Sequence, residues 1–320
     1  MSTHSLRSID LSARAFLGGN SAHRVLGKIS PVRKREAMSY QRFLSVGFRP
    51  FDPLELARET EKIVTREGPE GLERKYTGFY SVSVYGGIAT GYAAGCCLRC
   101  IYCWSNWSRD FPEEFGRFYS PKEVAQNLLE AAKRGLAYSK YWKKIVPKID
   151  KLRLSGCEPT LGKEHLLSVL ENVEKSGYPF YLETNGLLLG SDRDYVTKLS
   201  RFSRFIYVRV SFKAATPEGF TQRTGAIGEY YELPFKALRY LLDEGIRARA
   251  AAMTDPKVMP EEERRLLIER LEEIDPGARY SSTLEEEQID AYDATLKRLK
   301  AFSDAEFAGR LEGEILKGHK

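Results

Sequence analysis

The sequence predicts an α/β fold built on parallel strands. One observation is that short apolar runs alternate with amphipathic helical segments between residues 83 and 252. The other is that polar residues follow directly after several of these strands. Parallel strands joined by helices form either a doubly wound sheet or a barrel. Since α/β barrels place their chemistry at the carboxyl ends of the strands, the polar residues mark the expected site.

Capping and turn residues set the bounds of these elements. A capping box, Ser120-Pro121-Lys122-Glu123, places a proline at the first helical position, and Gly135 ends that helix. The predicted strands are 83–92, 151–155, 179–183, 205–212 and 246–252. The further predicted helices between them are 163–176, 192–202 and 231–243.

The two ends of the chain read as mostly helical. Residues 53–76 have a helical apolar pattern that Gly68-Pro69 interrupts. Residues 260–274 and 284–302 have the Glu- and Lys-rich amphipathic pattern of surface helices. We expect these two segments to cover an open edge of the sheet or to bind a partner.

Length and composition exclude several classes of protein. The chain has 320 residues, of which 42% are apolar, so it can build a core and is not wholly disordered. No run approaches 18 consecutive apolar residues, and the N-terminus has no continuous apolar stretch. The sequence therefore predicts a soluble cytoplasmic protein with no membrane span and no secretory signal.

The positive charge is concentrated at the N-terminus. The net charge is +6, but residues 1–50 carry nine Lys or Arg against Asp10 and Glu36, which is +7. A basic arm on a nearly neutral body suggests an anionic partner such as RNA, although composition alone favours a solvated N-terminal extension.

Four of the five cysteines lie within eight residues. The cysteines are Cys96, Cys97, Cys100, Cys103 and Cys157. Loops this short cannot close into unstrained disulfides, so the cluster of thiols indicates a metal or redox site. Zinc fits less well, because no second pair of Cys or His follows at zinc-finger spacing.

The C-x3-C-x2-C spacing of Cys96, Cys100 and Cys103 suggests an iron–sulfur cluster instead. A 4Fe–4S cluster normally uses four thiolates, so three ligands leave one iron open. An open iron can bind S-adenosylmethionine (SAM) through its amino and carboxylate groups, which is the arrangement used for adenosyl radical chemistry. The segment GCCLRCIYC resembles the signature loop of the radical SAM superfamily, in which Gly95, Leu98 and Tyr102 occupy the usual positions. Cys97 occupies a spacer position and is predicted to be a bystander.

A second segment is similar to the superfamily's Gly-Gly-Glu-Pro motif. It reads Gly156-Cys157-Glu158-Pro159 and follows the strand 151–155. The resemblance implies that the backbone of Gly156 and the side chain of Glu158 contact the methionine amino group of SAM. Cys157 replaces the second glycine, and we expect it to pack as a small apolar residue.

Two further segments resemble the branch of pyruvate formate-lyase activating enzymes. They read Glu183-Thr184-Asn185-Gly186 and Ser211-Phe212-Lys213. The resemblance implies that Glu183, with Asn185 beside it, faces the amino group of SAM and that Lys213 binds the methionine carboxylate. Ser211 stands where the branch has an acid for the ribose, and a hydroxyl makes a weaker hydrogen bond there. Arg209 lies on the same face of its strand and is a further candidate ligand.

The resemblance covers roughly residues 80–255 and also extends to a group of archaeal predicted iron–sulfur oxidoreductases. It implies a partial (β/α)6 TIM-like barrel with N- and C-terminal mostly helical extensions. The predicted domains are a basic, partly helical extension (1–79), the radical SAM barrel (80–255) and a helical segment (256–320). Trp104, Trp107, Phe111 and Phe115 are expected to pack over the cluster.

The implied activity is reductive cleavage of SAM at a single 4Fe–4S cluster, with an external ferredoxin- or flavodoxin-like one-electron donor. The resulting 5′-deoxyadenosyl radical would abstract hydrogen from a substrate, for which a protein glycine is one hypothesis. A second hypothesis is an RNA or an anionic small molecule, which the N-terminal arm and the stretch of Lys140, Lys143, Lys144 and Lys148 support. A third is a non-catalytic metal-binding module. The sequence assigns no catalytic side chain and no oligomeric state.

Overall fold

One mixed sheet organises the residues that the computed structural model describes, which are 40–135, 148–277 and 284–319. The N-terminal residues 1–39, with most of the basic arm, and Lys140, Lys143 and Lys144 lie outside this part of the chain. The strands are β1 (Thr65–Gly68), β2 (Gly71–Val82), β3 (Ile88–Ala93), β4 (Arg117–Tyr119), β5 (Leu152–Gly156), β6 (Phe180–Thr184), β7 (Ile206–Phe212), β8 (Arg247–Met253) and β9 (Leu284–Glu287).

Six of these strands are parallel neighbours in the order β3-β5-β6-β7-β8-β9. Strand β2 pairs antiparallel with β3, and the short strands β1 and β4 pair with β2. In the described part of the chain, β9 pairs only with β8, so the sheet is open there. The prediction of an α/β fold with a partial, open barrel is therefore confirmed.

Ten α-helices accompany these strands in the described part of the chain. They are α1 (Pro53–Val64), α2 (Pro121–Arg134), α3 (Lys163–Val173), α4 (Leu187–Ser191), α5 (Arg193–Ser200), α6 (Pro217–Thr224), α7 (Glu232–Asp243), α8 (Glu261–Glu272), α9 (Asp293–Ser303) and α10 (Ala305–His319). Strand residues such as Leu154, Leu182 and Val208 are fully buried against apolar side chains of these helices. None of the helices in the described residues is long and apolar enough to cross a membrane.

The inner face of the sheet is polar and aromatic, because side chains alternate along each strand. On β6, Phe180 and Leu182 are fully buried, whereas Tyr181 and Glu183, which alternate with them, are half-buried. The register places Tyr181 opposite Tyr207 of β7, with the two rings stacked at 5.0 Å. The inside of the barrel is therefore able to surround a polar ligand.

The sheet begins earlier in the chain than predicted. The predicted helix 53–76 ends at Val64, and the chain then reverses at Pro69-Glu70 so that β1 and β2 pair antiparallel. The predicted strand 83–92 starts only at Ile88, because residues 84–86 form a single 3₁₀ turn. The sheet thus extends across the boundary predicted at residue 80.

The C-terminal region also adds a strand. The predicted helix 260–274 is confirmed as α8, but the predicted helix 284–302 is wrong in its first part. Residues Leu284–Glu287 form β9, which continues the sheet from β8. The unpaired backbone groups at the edge of β8 favour this outcome, since buried N–H and C=O groups need partners.

His165 on α3 is buried in the core as a neutral imidazole. Its side chain is 1% exposed, Nδ1 donates to the carbonyl of Leu72 at 2.7 Å, and Nε2 lies 3.1 Å from the hydroxyl of Tyr76. Burial, assisted by Arg74 and opposed by the bond to Leu72, lowers the pKa of His165 to about 4. Protonation of this ring in the folded state is therefore unfavourable.

We expect this histidine to make the free energy of unfolding fall as the pH falls from about 6.5 to about 4. In that window the unfolded chain binds a proton at His165 and the folded chain does not, so stability is lost towards acid. The difference in pKa corresponds to roughly 3 kcal/mol. Urea unfolding of wild type and His165→Gln across this window checks it, and an equal loss of stability in both proteins would contradict the prediction.

Candidate functional site

An open cavity of about 1560 Å³ lies at the carboxyl ends of the parallel strands. All ten residues predicted to bind a cluster or SAM line it. They are Cys96, Cys100, Tyr102, Cys103, Gly156, Glu158, Glu183, Asn185, Ser211 and Lys213. The structure thus brings together residues from four separate segments of the chain. Which part of the cluster or of SAM each residue binds stays a prediction.

The cysteine loop follows β3 and is held by main-chain and arginine contacts. Arg99 is fully buried, and its Nη1 donates to the carbonyls of Cys96 at 2.7 Å and Leu98 at 2.9 Å. The backbone N–H of Arg99 donates to the carbonyl of Thr224 at the end of α6. These bonds fix the path of the loop without using the cysteine side chains.

Cys96 and Cys97 have different environments although they are adjacent. The neighbouring Cys97 thiol, as a hydrogen-bond donor, lowers the pKa of Cys96, although burial opposes ionisation. Cys97 is itself fully buried, accepts from Nδ2 of Asn185 at 3.3 Å and does not line the cavity. The prediction that Cys97 is a bystander agrees with this position.

The cysteine side chains are not arranged around a single ion. In residues 40–135, 148–277 and 284–319, no three Cys, His, Asp or Glu side chains converge closely enough to hold one metal ion. A lone zinc ion needs such convergence, whereas an iron–sulfur cluster places each thiolate on a different iron.

Gly156 ends β5 in a conformation that only glycine adopts easily. Its φ is +97°, and a Cβ atom there would lie 3.0 Å from the backbone nitrogen and oxygen of Ala93. The carbonyl of Gly156 accepts from the hydroxyl of Ser105 at 2.7 Å, and Cys157 N donates to the Ala93 carbonyl. The end of β5 is thus joined closely to the end of β3. The thiol of Cys157 lines the cavity, 3.5 Å from Oγ of Ser108, rather than packing wholly inside the core.

We expect Gly156→Ala to lower the free energy of unfolding by about 2 kcal/mol or more, through backbone strain and overpacking. Gly177→Ala is the matched control, since Gly177 has φ +77° but no atom within 4 Å of its missing Cβ. The control should lose only about 1 kcal/mol from strain. Chemical denaturation measures both, and equal losses would show that the contact with Ala93 relaxes at no cost.

The carboxylate of Glu158 is occupied by hydrogen bonds within the protein. It is 1% exposed, and its two oxygens accept from the N–H and hydroxyl of Thr160, the hydroxyl of Thr184 and the N–H of Asn185 at 2.6–3.1 Å. These bonds join the end of β5 to the end of β6. The carboxylate of Glu158, which is predicted to contact the amino group of SAM, therefore stabilises the loop that carries Asn185.

Glu183 faces the cavity from β6 as a carboxylate. It accepts from the hydroxyl of Tyr85 at 2.9 Å, from Nη1 of Arg153 at 3.0 Å and from the hydroxyl of Ser155 at 2.5 Å. Burial opposes its ionisation, but Arg153 and Arg209 hold the pKa of Glu183 below its usual value. A negative charge is therefore present beside the cavity at neutral pH.

The face of β7 that lines the cavity carries Arg209, Ser211 and Lys213. Arg209 forms ion pairs with Glu285 at 2.5 Å and Glu287 at 2.7 Å, so it links β7 to β9 across β8. Nζ of Lys213 donates to Oγ of Ser211 at 2.5 Å. This ammonium and hydroxyl are the groups on β7 that remain available to an anionic or hydroxylated ligand.

Two features of the cavity suit SAM together with a substrate. The hydroxyl of Tyr102 is buried at the cavity and has no partner among the described residues, so a polar ligand atom can satisfy it. The volume also exceeds the roughly 300–1,000 Å³ of most small-molecule sites, which leaves room for a second molecule. The residues present therefore fit a sulfonium cofactor that has amino, carboxylate and ribose groups.

Sequence reasoning missed Tyr85 and Arg153, and it treated Phe111 and Trp104 alike as residues that pack over the cluster. Arg153 lies two residues before Ser155 on β5. The period-two alternation of a strand therefore predicts that both face the inside of the barrel. Tyr85 lies in the turn before β3 at φ +54°, and nothing local in the sequence indicates its role. Phe111 is fully buried against the C-terminal helices, whereas Trp104 is 43% exposed and lines the cavity.

Comparison with solved structures gives distant likenesses. SuiB of Streptococcus suis bound to the precursor peptide SuiA is 16% identical with a TM-score of 0.48, over 72% of this chain and 46% of that one. TYW1 with a lysine-pyruvate adduct bound is 17% identical with a TM-score of 0.45, over 68% and 74%. A radical SAM methyltransferase from Sphaerobacter thermophilus is 12% identical with a TM-score of 0.45, over 74% and 68%. The chain thus spans less than half of the length of SuiB.

Comparison with curated proteins found no match. Comparison with protein families found a match over residues 92–271, more than half of the chain, to the model described as the Radical SAM superfamily. Enzymes of this family use SAM and a 4Fe–4S cluster. The match confirms the superfamily predicted from the cysteine loop and does not single out a branch within it. The chain therefore belongs to the Radical SAM superfamily.

Proposed function

We propose that the chain holds a 4Fe–4S cluster on Cys96, Cys100 and Cys103 and binds SAM in the adjoining cavity. The observation that carries this proposal is that the three cysteines and seven predicted SAM-contacting residues line one cavity. They come from the cysteine loop and from the ends of β5, β6 and β7. These segments are far apart in sequence, so the residues do not line one cavity merely because they are neighbours along the chain.

When bound, the cluster on Cys96, Cys100 and Cys103 would supply the electron for reductive cleavage of SAM, and SAM would supply the radical chemistry on the substrate. The chain itself orients SAM. We assign Lys213 to the methionine carboxylate, Glu183 to the amino group and Ser211 to the ribose, because all three line the cavity and have complementary charge or hydrogen-bonding groups. The unpartnered hydroxyl of Tyr102 offers one further donor.

The protein also holds these groups in their charged states. Arg153 and Arg209 keep Glu183 ionised, and the four bonds to Glu158 fix the backbone that carries Asn185. Groups that are preorganised in this way do not have to rearrange when the reaction occurs.

The substrate belongs in the remaining part of the cavity. Lining residues come both from β2, at Phe79 to Val82, and from the chain after β9, at Gln288 to Tyr292. An opening between these edges suits an extended peptide, so a protein glycine, as in the activating enzymes, is the substrate class that we test first. RNA is the second candidate, because residues 1–50 carry +7.

The test is anaerobic reconstitution with iron and sulfide, followed by dithionite, which stands in for the ferredoxin- or flavodoxin-like donor, and SAM. We expect iron and sulfide in the proportion of one 4Fe–4S cluster per chain, and 5′-deoxyadenosine and methionine by mass spectrometry. Zinc in the purified protein and no cleavage of SAM would indicate the non-catalytic metal-binding module instead. Deuterium transfer from labelled peptide or labelled RNA into deoxyadenosine would then separate the substrate classes.

A further inference from the structure

The C-terminal helix α9 reaches the cysteine loop through Arg298. This side chain is 2% exposed, and its Nη1 donates to the carbonyls of Cys103 at 2.7 Å and Ser105 at 2.6 Å. Its Nη2 donates to the carbonyl of Asn106 at 2.9 Å. Thr295, one turn earlier on α9, adds a hydroxyl bond to the same Cys103 carbonyl at 3.2 Å. Four hydrogen bonds from α9 thus hold the main chain of residues 103–106.

Asp110 connects this arginine to a second one. Asp110 is fully buried, with Oδ2 at 2.5 Å from Nη2 of Arg298 and Oδ1 at 2.5 Å from Nη2 of Arg109. Arg109 is 1% exposed, and its Nη1 donates to the carbonyl of Cys100 at 2.6 Å. We call Arg109, Asp110 and Arg298 the arginine clamp. It contacts the main chain of two of the three cysteines proposed to hold the cluster.

The arginine clamp is more than is needed to attach α9 and α10 to the barrel. An apolar cluster that includes Phe111, Ala301 and Leu311 already packs these helices on the segment after the cysteine loop. Buried ion pairs add little net stability compared with apolar packing, because desolvation opposes the attraction between the charges. Their common benefit is a single defined geometry, and here that geometry belongs to the carbonyls of Cys100 and Cys103.

The charge of the clamp also matches its position. Burial opposes ionisation of Asp110, but Arg109 and Arg298 hold the pKa of Asp110 below its usual value. Two guanidinium groups and one carboxylate leave one net positive charge beside the thiolates, which are negative when they bind iron. The clamp therefore adds one positive charge next to the main chain of the loop.

We propose that the arginine clamp is a positioning device that holds Cys100 and Cys103 ready to bind the cluster, so that retention of the cluster depends on α9. This inference rests on the proposed function, in which these two cysteines are ligands. It assigns to the C-terminal segment a role in the iron site, although Arg298 lies 195 residues after Cys103.

The test compares the rate of iron release to a chelator in anaerobically reconstituted protein. Arg298→Gln removes the charge and most of the donors, and Thr295→Val removes one bond while keeping the shape. We expect release about tenfold faster in Arg298→Gln and a smaller increase in the same direction in Thr295→Val. Lys297→Gln is the matched control, because Lys297 is exposed on the same helix and pairs only with Asp293 in the described structure.

A second control separates positioning from general destabilisation. Leu311→Ala removes a fully buried side chain from α10 without touching the loop. It should lower the melting temperature of the iron-free chain and leave iron release unchanged well below that temperature. Release from Leu311→Ala as fast as from Arg298→Gln would overturn the proposal.

The remaining outcomes are also decisive. If Arg298→Gln does not fold, Thr295→Val decides, and wild-type release in that variant overturns the inference. If wild type takes up no cluster, the proposed function itself fails. If wild type, Arg298→Gln and Thr295→Val retain the cluster equally, the proposed role of the clamp is wrong and the ligand assignment stands.

Discussion

Replacing any one of Cys96, Cys100 and Cys103 by Ala is expected to abolish both the iron–sulfur cluster and the formation of 5′-deoxyadenosine. Three thiolates for four irons leave no spare ligand, and only Cys97 and Cys157 remain in the sequence to substitute. Cys97 is turned away from the cavity, so it cannot take over without moving the loop. The measurements are absorbance of reconstituted protein at ~400 nm, where thiolate–iron clusters absorb, and mass spectrometry of the products.

The control for this experiment is Cys97→Ser, which keeps a hydrogen-bond donor beside Cys96. We expect it to retain the cluster and turnover. Turnover in an Ala variant of any of the three proposed ligands would reject the ligand assignment. Loss of the cluster in Cys97→Ser with retention in Cys96→Ala would show that Cys97 is the ligand in place of Cys96.

The parallel strands were predictable because their signals are local. The predicted strands 151–155, 179–183, 205–212 and 246–252 differ from β5, β6, β7 and β8 by one residue at most at each end. Short apolar runs bounded by glycines and helix caps carry this information within a few residues.

Strands β2 and β9 were not predictable in the same way. Strand β9 reads Leu284-Glu285-Glu286-Glu287, which is typical of a helix or loop. Ion pairs from Arg209 and Arg249 to Glu285 support it in the sheet, and those partners lie far away in sequence. Tertiary context therefore overrides local propensity at this edge.

The residues of the candidate site also differ in whether the local sequence indicates them. The ten motif residues were found because each occupies a short pattern at the end of a strand, and they meet because parallel strands end at one edge of the sheet. Arg298 has no such pattern. Its contacts with Cys103 and Asp110 join the predicted C-terminal segment to the early part of the predicted barrel, and they exist only after the chain has folded.

Asp110→Ala is expected to produce a large loss of stability of the folded chain. It removes the shared partner of Arg109 and Arg298, which leaves two buried guanidinium groups with an uncompensated charge. Breaking a buried ion pair from one side typically costs about 3–5 kcal/mol. Urea unfolding of the iron-free chain measures this loss without any contribution from the cluster.

The pH dependence of the stability loss, together with a control substitution at another aspartate, shows whether the loss comes from the charge of Asp110. The pKa of Asp110 is lowered in the folded state, so its contribution is present above the unfolded pKa and is lost as the pH falls through the folded one. The difference between wild type and Asp110→Ala should therefore persist at neutral pH and shrink only in strong acid. Asp194→Ala should change stability little, because Asp194 pairs with Lys163 and Lys198 at the solvent-exposed surface. A loss at Asp110 no larger than that at Asp194 would mean that both arginines find other acceptors, and the carboxylate would then not be what holds them at the cysteine loop.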